Sequence, residues 1–197
     1  AGFRVGKNQG PWPPVNENHN IFIFGGSTTF GYGLPDDQTI GSHLQEILRK
    51  TDSSVAVYNF ACGSYYSTQE KILFQELLAE GLRPDKAIFI DGLNDFYYYN
   101  NEPHFTPQLR DLVAGKDKSN QLLNKYPLTR VAVALVGNDP IVDEKPVIPV
   151  VDDILHRYLQ NKMQIESISS KLDIETLFVW QPVPTFGYEQ SLHCLLY

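Results

Sequence analysis

The chain is poor in sulfur: 197 residues contain one Met and two Cys, Cys62 and Cys194. Two cysteines exclude a disulfide-dense scaffold and a four-cysteine zinc site, and leave either one bridge or two free thiols open. Positive charge is scarce too. Lys and Arg number 16 against 23 Asp and Glu, a formal charge of −7, and no basic run occurs. Nucleic-acid backbones and anionic membranes need clustered cations, so no nucleic-acid partner is expected. No apolar stretch reaches the roughly 18 residues of a membrane span. Ala1-Gly2-Phe3-Arg4 lacks the basic start and apolar run of an export signal.

A hydrophobic fraction of 42%, with 12% aromatic residues, argues against disorder. At roughly 150 residues per domain, the length suits one compact domain over residues 1–197. The apolar finish Leu195-Leu196-Tyr197 and the abrupt start read as cuts at both ends of a longer protein. The compartment stays open, since removal of an N-terminal segment is compatible with secretion or membrane anchoring.

Four short apolar runs, Ile21–Phe24, Val55–Phe60, Ala87–Ile90 and Leu177–Trp180, read as buried parallel strands. Helical patterns separate them. Ile40, Leu44, Ile47 and Leu48 repeat at helix spacing. Ser67-Thr68-Gln69-Glu70 has the form of a capping box with Ser67 as N-cap and Glu70 reaching back. Ile72, Leu73, Leu77 and Leu78 then form an apolar stripe, and Gly81 is a natural stop. Ile154, Leu155, Tyr158, Leu159, Met163, Ile165 and Ile168 suggest a long amphipathic helix before the last strand. Alternation of this kind predicts an α/β fold, a parallel sheet with helices on both faces. Residues 100–149 read as an irregular insertion broken by Pro140, Pro146 and Pro149, and the Pro- and Asn-rich opening as a surface lead-in.

In open parallel sheets chemistry gathers at the carboxyl ends of the strands. Three unusual stretches stand there: Gly25-Gly26-Ser27-Thr28-Thr29-Phe30-Gly31, Asn59-Phe60-Ala61-Cys62-Gly63 and Asp91-Gly92-Leu93-Asn94-Asp95. Ser27 can present a hydroxyl and its own N–H. Gly63, without a Cβ, lets its N–H approach a ligand closely, and Asn94 donates through a neutral amide. Three neutral donors around one serine suit a tetrahedral acyl-transfer intermediate. A phosphate-cradling turn is the rival for Gly25-Gly26-Ser27, but no Lys follows and no G-x-G-x-x-G spacing occurs. Asp95 reads as pinning the Asn94 loop, and Cys62 as buried packing.

IFIFGGSTTFGYG, NFACG and IFIDGLND resemble the first three blocks of the SGNH/GDSL hydrolases, and Trp180-Gln181-Pro182-Val183-Pro184 resembles a later strand and turn. The resemblance implies a flavodoxin-like, three-layer α/β/α sandwich. It also implies a serine hydrolase of acyl esters without a cofactor, acting on a small-molecule or carbohydrate ester. Ser27 would be the nucleophile, and the Ser27 and Gly63 amides with the Asn94 side chain the oxyanion hole. Gly26 departs from the family's usual Asp.

The family pairs the serine with an Asp-x-x-His motif on a late loop. Asp153-Ile154-Leu155-His156 is the match here, but it lies in a helical pattern ahead of the last strand and reads as a surface pair. His193 has no Asp three residues earlier, and His19, His43 and His104 read as surface or cap residues. The expectation is therefore that the catalytic Asp and His, with a fifth strand and final helix, lie beyond Tyr197. Aromatic residues (Phe30, Tyr32, Tyr65, Tyr66 and Phe96–Tyr99) crowd the crevice in sequence, some as packing. Two other functions stay open: a non-catalytic binding module keeping the fold, and an acyltransferase using the same serine.

Overall fold

The computed structural model describes residues 3–97 and 147–181, with no side-chain account of residue 97 or of residues 147–150. The chain divides into two units, residues 1–100 with 151–197, and residues 101–150; only the first is described at length. The expected insertion lies outside the described residues except for its last three positions. Those begin a helix rather than end a loop, because Pro149 stands in the first turn, where its missing N–H has no intrahelical partner to lose.

All four expected strands form: β1 (His19–Gly25), β2 (Val55–Asn59), β3 (Lys86–Asp91) and β4 (Glu175–Trp180). They pair in parallel, in the order β2-β1-β3-β4. The helices are α1 (Ser27–Phe30), α2 (Ile40–Leu48), α3 (Ser67–Ala79), α4 (Leu93–Tyr97) and α5 (Val147–Lys171). Alternation of side chains along each strand splits the core in two. Ile21, Ile23, Val55, Val57 and Ile88 face Leu44 and Leu48 of α2, while Phe22, Phe24, Tyr58 and Phe89 face Phe74 and Leu77 of α3 and Ile165 of α5. That is a three-layer α/β/α sandwich.

Register on the α3–α5 side is held by an aromatic ladder. Phe60, Phe24, Phe89 and Phe178 stack across all four strands with ring centroids 5.8, 4.8 and 5.2 Å apart. Each such pair adds about 0.5–1.5 kcal/mol beyond its buried area.

Several local expectations change. Tyr66, not Ser67, is the N-cap of α3, and its N–H donates to Gln69 Oε1 at 3.3 Å. The box is displaced by one residue because Ser67 and Glu70 are both buried on other duties. Gly81 does stop the helix, with φ +80°. Helix faces run less apolar than their spacing implied: Ile40, Ile47, Ile72, Leu155, Leu159 and Met163 are exposed, whereas Gln45, Phe74 and Asn161 are buried. The lead-in is docked rather than loose. Phe3 and Trp12 pack on Phe60 at 5.2 and 5.9 Å, and Arg4 donates to the Phe30, Gly31 and Leu34 carbonyls and to Asp36.

Candidate active site

Strand order reverses between β1 and β3, so the crevice at their carboxyl ends is the natural ligand site of this architecture. Ser27 follows β1 and Asn94 follows β3. Both line one small cleft there, with Gly26, Thr28, Tyr65, Asp91, Asp95 and Gln181 among its walls.

Ser27 is the first residue of α1, half-buried, and its hydroxyl makes no hydrogen bond among the described residues. The turn that carries it is braced from β2. Asn59 Nδ2 donates to the Thr29 carbonyl at 3.0 Å, Asn59 Oδ1 accepts from Ala61 N–H at 3.0 Å, and Cys62 N–H donates to the Gly25 carbonyl at 3.0 Å. One side chain thus ties the first two motifs together.

Asn94 Nδ2 donates to the Tyr65 carbonyl at 2.6 Å, leaving its second N–H for the cleft. A Cβ on residue 26 would collide with that same nitrogen. The bare glycine therefore leaves room for Asn94 to lie against the serine turn. Gly63 stands apart. It does not line the cleft, and the Tyr32 ring lies over it, 2.8 Å from where a Cβ would be. Ser27 and Asn94 are brought together; Gly63 shares only the loop that ends in Tyr65.

Gly92 connects β3 to α4 with φ +130°, and a Cβ there would stand 2.7 Å from the Gln181 carbonyl oxygen. Gly92→Ala is expected to cost about 2–3 kcal/mol in chemical denaturation, since both the dihedral and the space refuse a side chain.

Three buried carboxyl groups stand in and behind the cleft wall, Asp91 and Asp95, which line it, and Glu70. Asp95 is fully buried and accepts from Ser67 Oγ at 2.6 Å, with Arg157 Nη2 3.8 Å from its Oδ1. Burial pushes its carboxyl up, and the Ser67 bond and Arg157 pull it back. Asp91 rises to about 7, first through burial and then through the neighbouring Asp95 charge. Glu70 is pushed well above the carboxylate range by burial and by Asp91. Neither Glu70 oxygen meets a donor group, nor does Asp91 Oδ1. Burial without a donor to share favours the protonated form of both groups, and each disfavours the other's charge. The signal for this cluster was present in the sequence: Asp91 closes an otherwise apolar strand, and Glu70 occupies a capping position it does not use.

Among the described residues no histidine lines the cleft. Asp153 and His156 are exposed on α5, His19 opens β1 at the opposite end of the strand, and His43 is exposed on α2. His104, His193, Cys194 and the 182–184 turn lie outside the described residues. Cys62 is a half-buried free thiol rather than a packed core residue. It lines a second cavity of about 310 Å3 with Phe3, Trp12, Phe60 and Leu73, on the far side of Tyr65. Of the crevice aromatics, Tyr66 is core, Phe30 packs on Tyr32, Phe96 packs on Trp180, and Tyr65 lines the cleft. Residues 97–99 have no side-chain description. Among the described residues no helix is long and apolar enough to cross a membrane, and no group of three His, Cys, Asp or Glu is arranged to hold a metal ion.

No protein-family model and no curated protein matches the chain. Solved structures do. A two-domain esterase active on acetylated mannans is 23% identical, over 41% of this chain and 24% of its own, with a TM-score of 0.33. AlinE4, an SGNH-hydrolase family esterase, is 16% identical over 81% of this chain and 96% of its own, at 0.39. Axe2, an acetylxylan esterase from Geobacillus stearothermophilus, is 15% identical over 83% and 76%, at 0.38. These three similar structures are esterases by name. This chain spans about a quarter of the length of the first and three quarters or more of the other two.

Proposed function

We propose that the protein hydrolyses acyl esters through Ser27, with acetyl or other small acyl groups on carbohydrate as the substrate class. The observation that carries the reading is the meeting of Ser27 and Asn94 in one cleft at the point where strand order reverses. Ser27 Oγ attacks the acyl carbonyl carbon, and the carbonyl π electrons move to oxygen as a tetrahedral oxyanion. The free Asn94 N–H and the Ser27 N–H stabilise that charge, while Gly63, the third donor expected from the sequence, does not line the cleft. Collapse expels the alcohol and leaves an acyl-enzyme, which water then cleaves. The proton leaves Ser27 to a base outside the described residues. Delivery of the acyl group to a second alcohol instead of water makes the same site a transferase.

A fluorophosphonate probe tests the nucleophile. Labelling mapped to Ser27 by peptide mass spectrometry is the expected result, and an intact, folded, unlabelled protein overturns it. That outcome favours the second reading, a binding module that keeps the fold. Asn94→Ala is expected to lower kcat about 100-fold with little change in KM, the usual cost of one oxyanion donor. Steady-state kinetics on an aryl acetate reads it.

A further inference from the structure

Asn94 sits on α4, five residues long, too short to hold itself against the roughly 12–15 that an isolated helix needs. Its orientation has to come from outside. Asn161 Nδ2 donates to Ser67 Oγ at 3.0 Å and to Thr68 Oγ1 at 2.9 Å. Ser67 Oγ spends its single hydrogen on Asp95 Oδ1 at 2.6 Å, so the relay runs one way, from amide to hydroxyl to carboxylate. Arg157 Nη2 donates to the Asp95 carbonyl at 2.7 Å, and its guanidinium lies over the Tyr66 ring. Asp95, the neighbour of Asn94, is thereby gripped at its carboxylate and at its main chain by α5, a helix more than sixty residues further along the chain.

We propose that Arg157 and Asn161 are positioning residues for Asn94 and set the competence of the oxyanion hole. The proposal rests on the reading of Asn94 as an oxyanion donor. Buried polar networks of this kind add little stability over well-packed apolar side chains; what they add is direction. Direction matters here because a donor is useful only within about 0.5 Å of its productive place, and a 1 Å error costs about 100-fold. The network fixes Asp95 in a buried layer, with Asp95 0%, Ser67 3% and Asn161 4% exposed, one residue from the amide it aims.

A double-mutant cycle tests this. Arg157→Met and Asn161→Leu are each expected to lower kcat about 10- to 100-fold with KM within about threefold, but by less than about threefold when placed on Asn94→Ala. Arg157→Lys, which keeps the charge and loses the planar fork, should fall between. Equal losses in both backgrounds show a merely structural role and overturn the proposal, as does no loss at all. If the larger replacements do not fold, Arg157→Lys is compared with the parent by NMR. The Asn94 side-chain NH2 resonances should shift and broaden, and unchanged resonances overturn the proposal. If Asn94→Ala itself keeps full turnover, the reading of Asn94 as an oxyanion donor fails, and the NMR comparison still decides whether α5 aims Asn94.

Discussion

Replacing Ser27 with alanine is expected to reduce ester turnover by about four orders of magnitude or more while leaving the fold intact. The two halves of that expectation have separate grounds. The hydroxyl makes no hydrogen bond among the described residues and is only half-buried, so its loss exposes no unpaired partner. The melting midpoint should hardly move, because surface and half-buried changes of this kind stay within about 0.5 kcal/mol. Turnover, by contrast, would lose the atom we propose to form the covalent intermediate. Cys62, the other nucleophile nearby, lines a different cavity beyond Tyr65, and Cys62→Ala is expected to leave turnover in place. Parallel assays of both variants, with circular dichroism to check folding, give the answer. Full activity in Ser27→Ala would remove the serine mechanism.

The strands were legible because a buried parallel strand has to be a short apolar run, and IFIF, VAVYNF, AIFI and LFVW are such runs bounded by polar or turn residues. The meeting of Ser27 and Asn94 was legible for a related reason. A sheet with this order places the residue after β1 and those after β3 on the same crevice, whatever their distance along the chain. What could not be read was the layer beneath. Spacing assigned Leu155, Leu159 and Met163 to the core, yet α5 turns Asn161 and Arg157 inward with Ile154, Tyr158 and Ile165. Those two polar residues meet partners on α3 and α4, and no local pattern announces a bond across ninety residues. Ser67 and Glu70 misled for the same reason. Their local capping signature is genuine, but a buried carboxylate and a buried carboxyl pair compete for them and win, so Tyr66 and Gln69 take over the end of the helix. Gly63 shows the reverse case. Its loop is in place, but Tyr32 covers it, a contact between an exposed ring and a bare backbone that sequence cannot foresee.

The buried acid pair makes stability fall as pH rises, and Asp91→Asn should remove the Asp91 share of that slope. In the unfolded chain the Asp91 carboxyl ionises near its ordinary 3.8, whereas in the fold it holds its proton up to about 7. Below pH 4 both states are protonated and the group carries no penalty. Between pH 4 and 7 the unfolded chain gives up a proton that the folded protein keeps, so unfolding gains at each step. Above pH 7 the loss is complete, of the order of 4 kcal/mol for a displacement of this size. Glu70 moves in the same direction, and Asp95, Arg157 and Tyr158 complete the set of titratable groups around the pair. Arg157 offsets the Asp95 charge but lies against Asp95 rather than Asp91, so the pair has no cation of its own among the described contacts. Asparagine keeps the shape and cannot take up a charge. Urea denaturation at pH 5 and pH 8 reads the difference. The variant should match or trail the parent at pH 5, where Asp91 is largely neutral in the fold, and exceed it by several kcal/mol at pH 8. An offset between the two proteins that is the same at both pH values would show that Asp91 ionises alike in the folded and unfolded chain, which its burial beside Glu70 forbids.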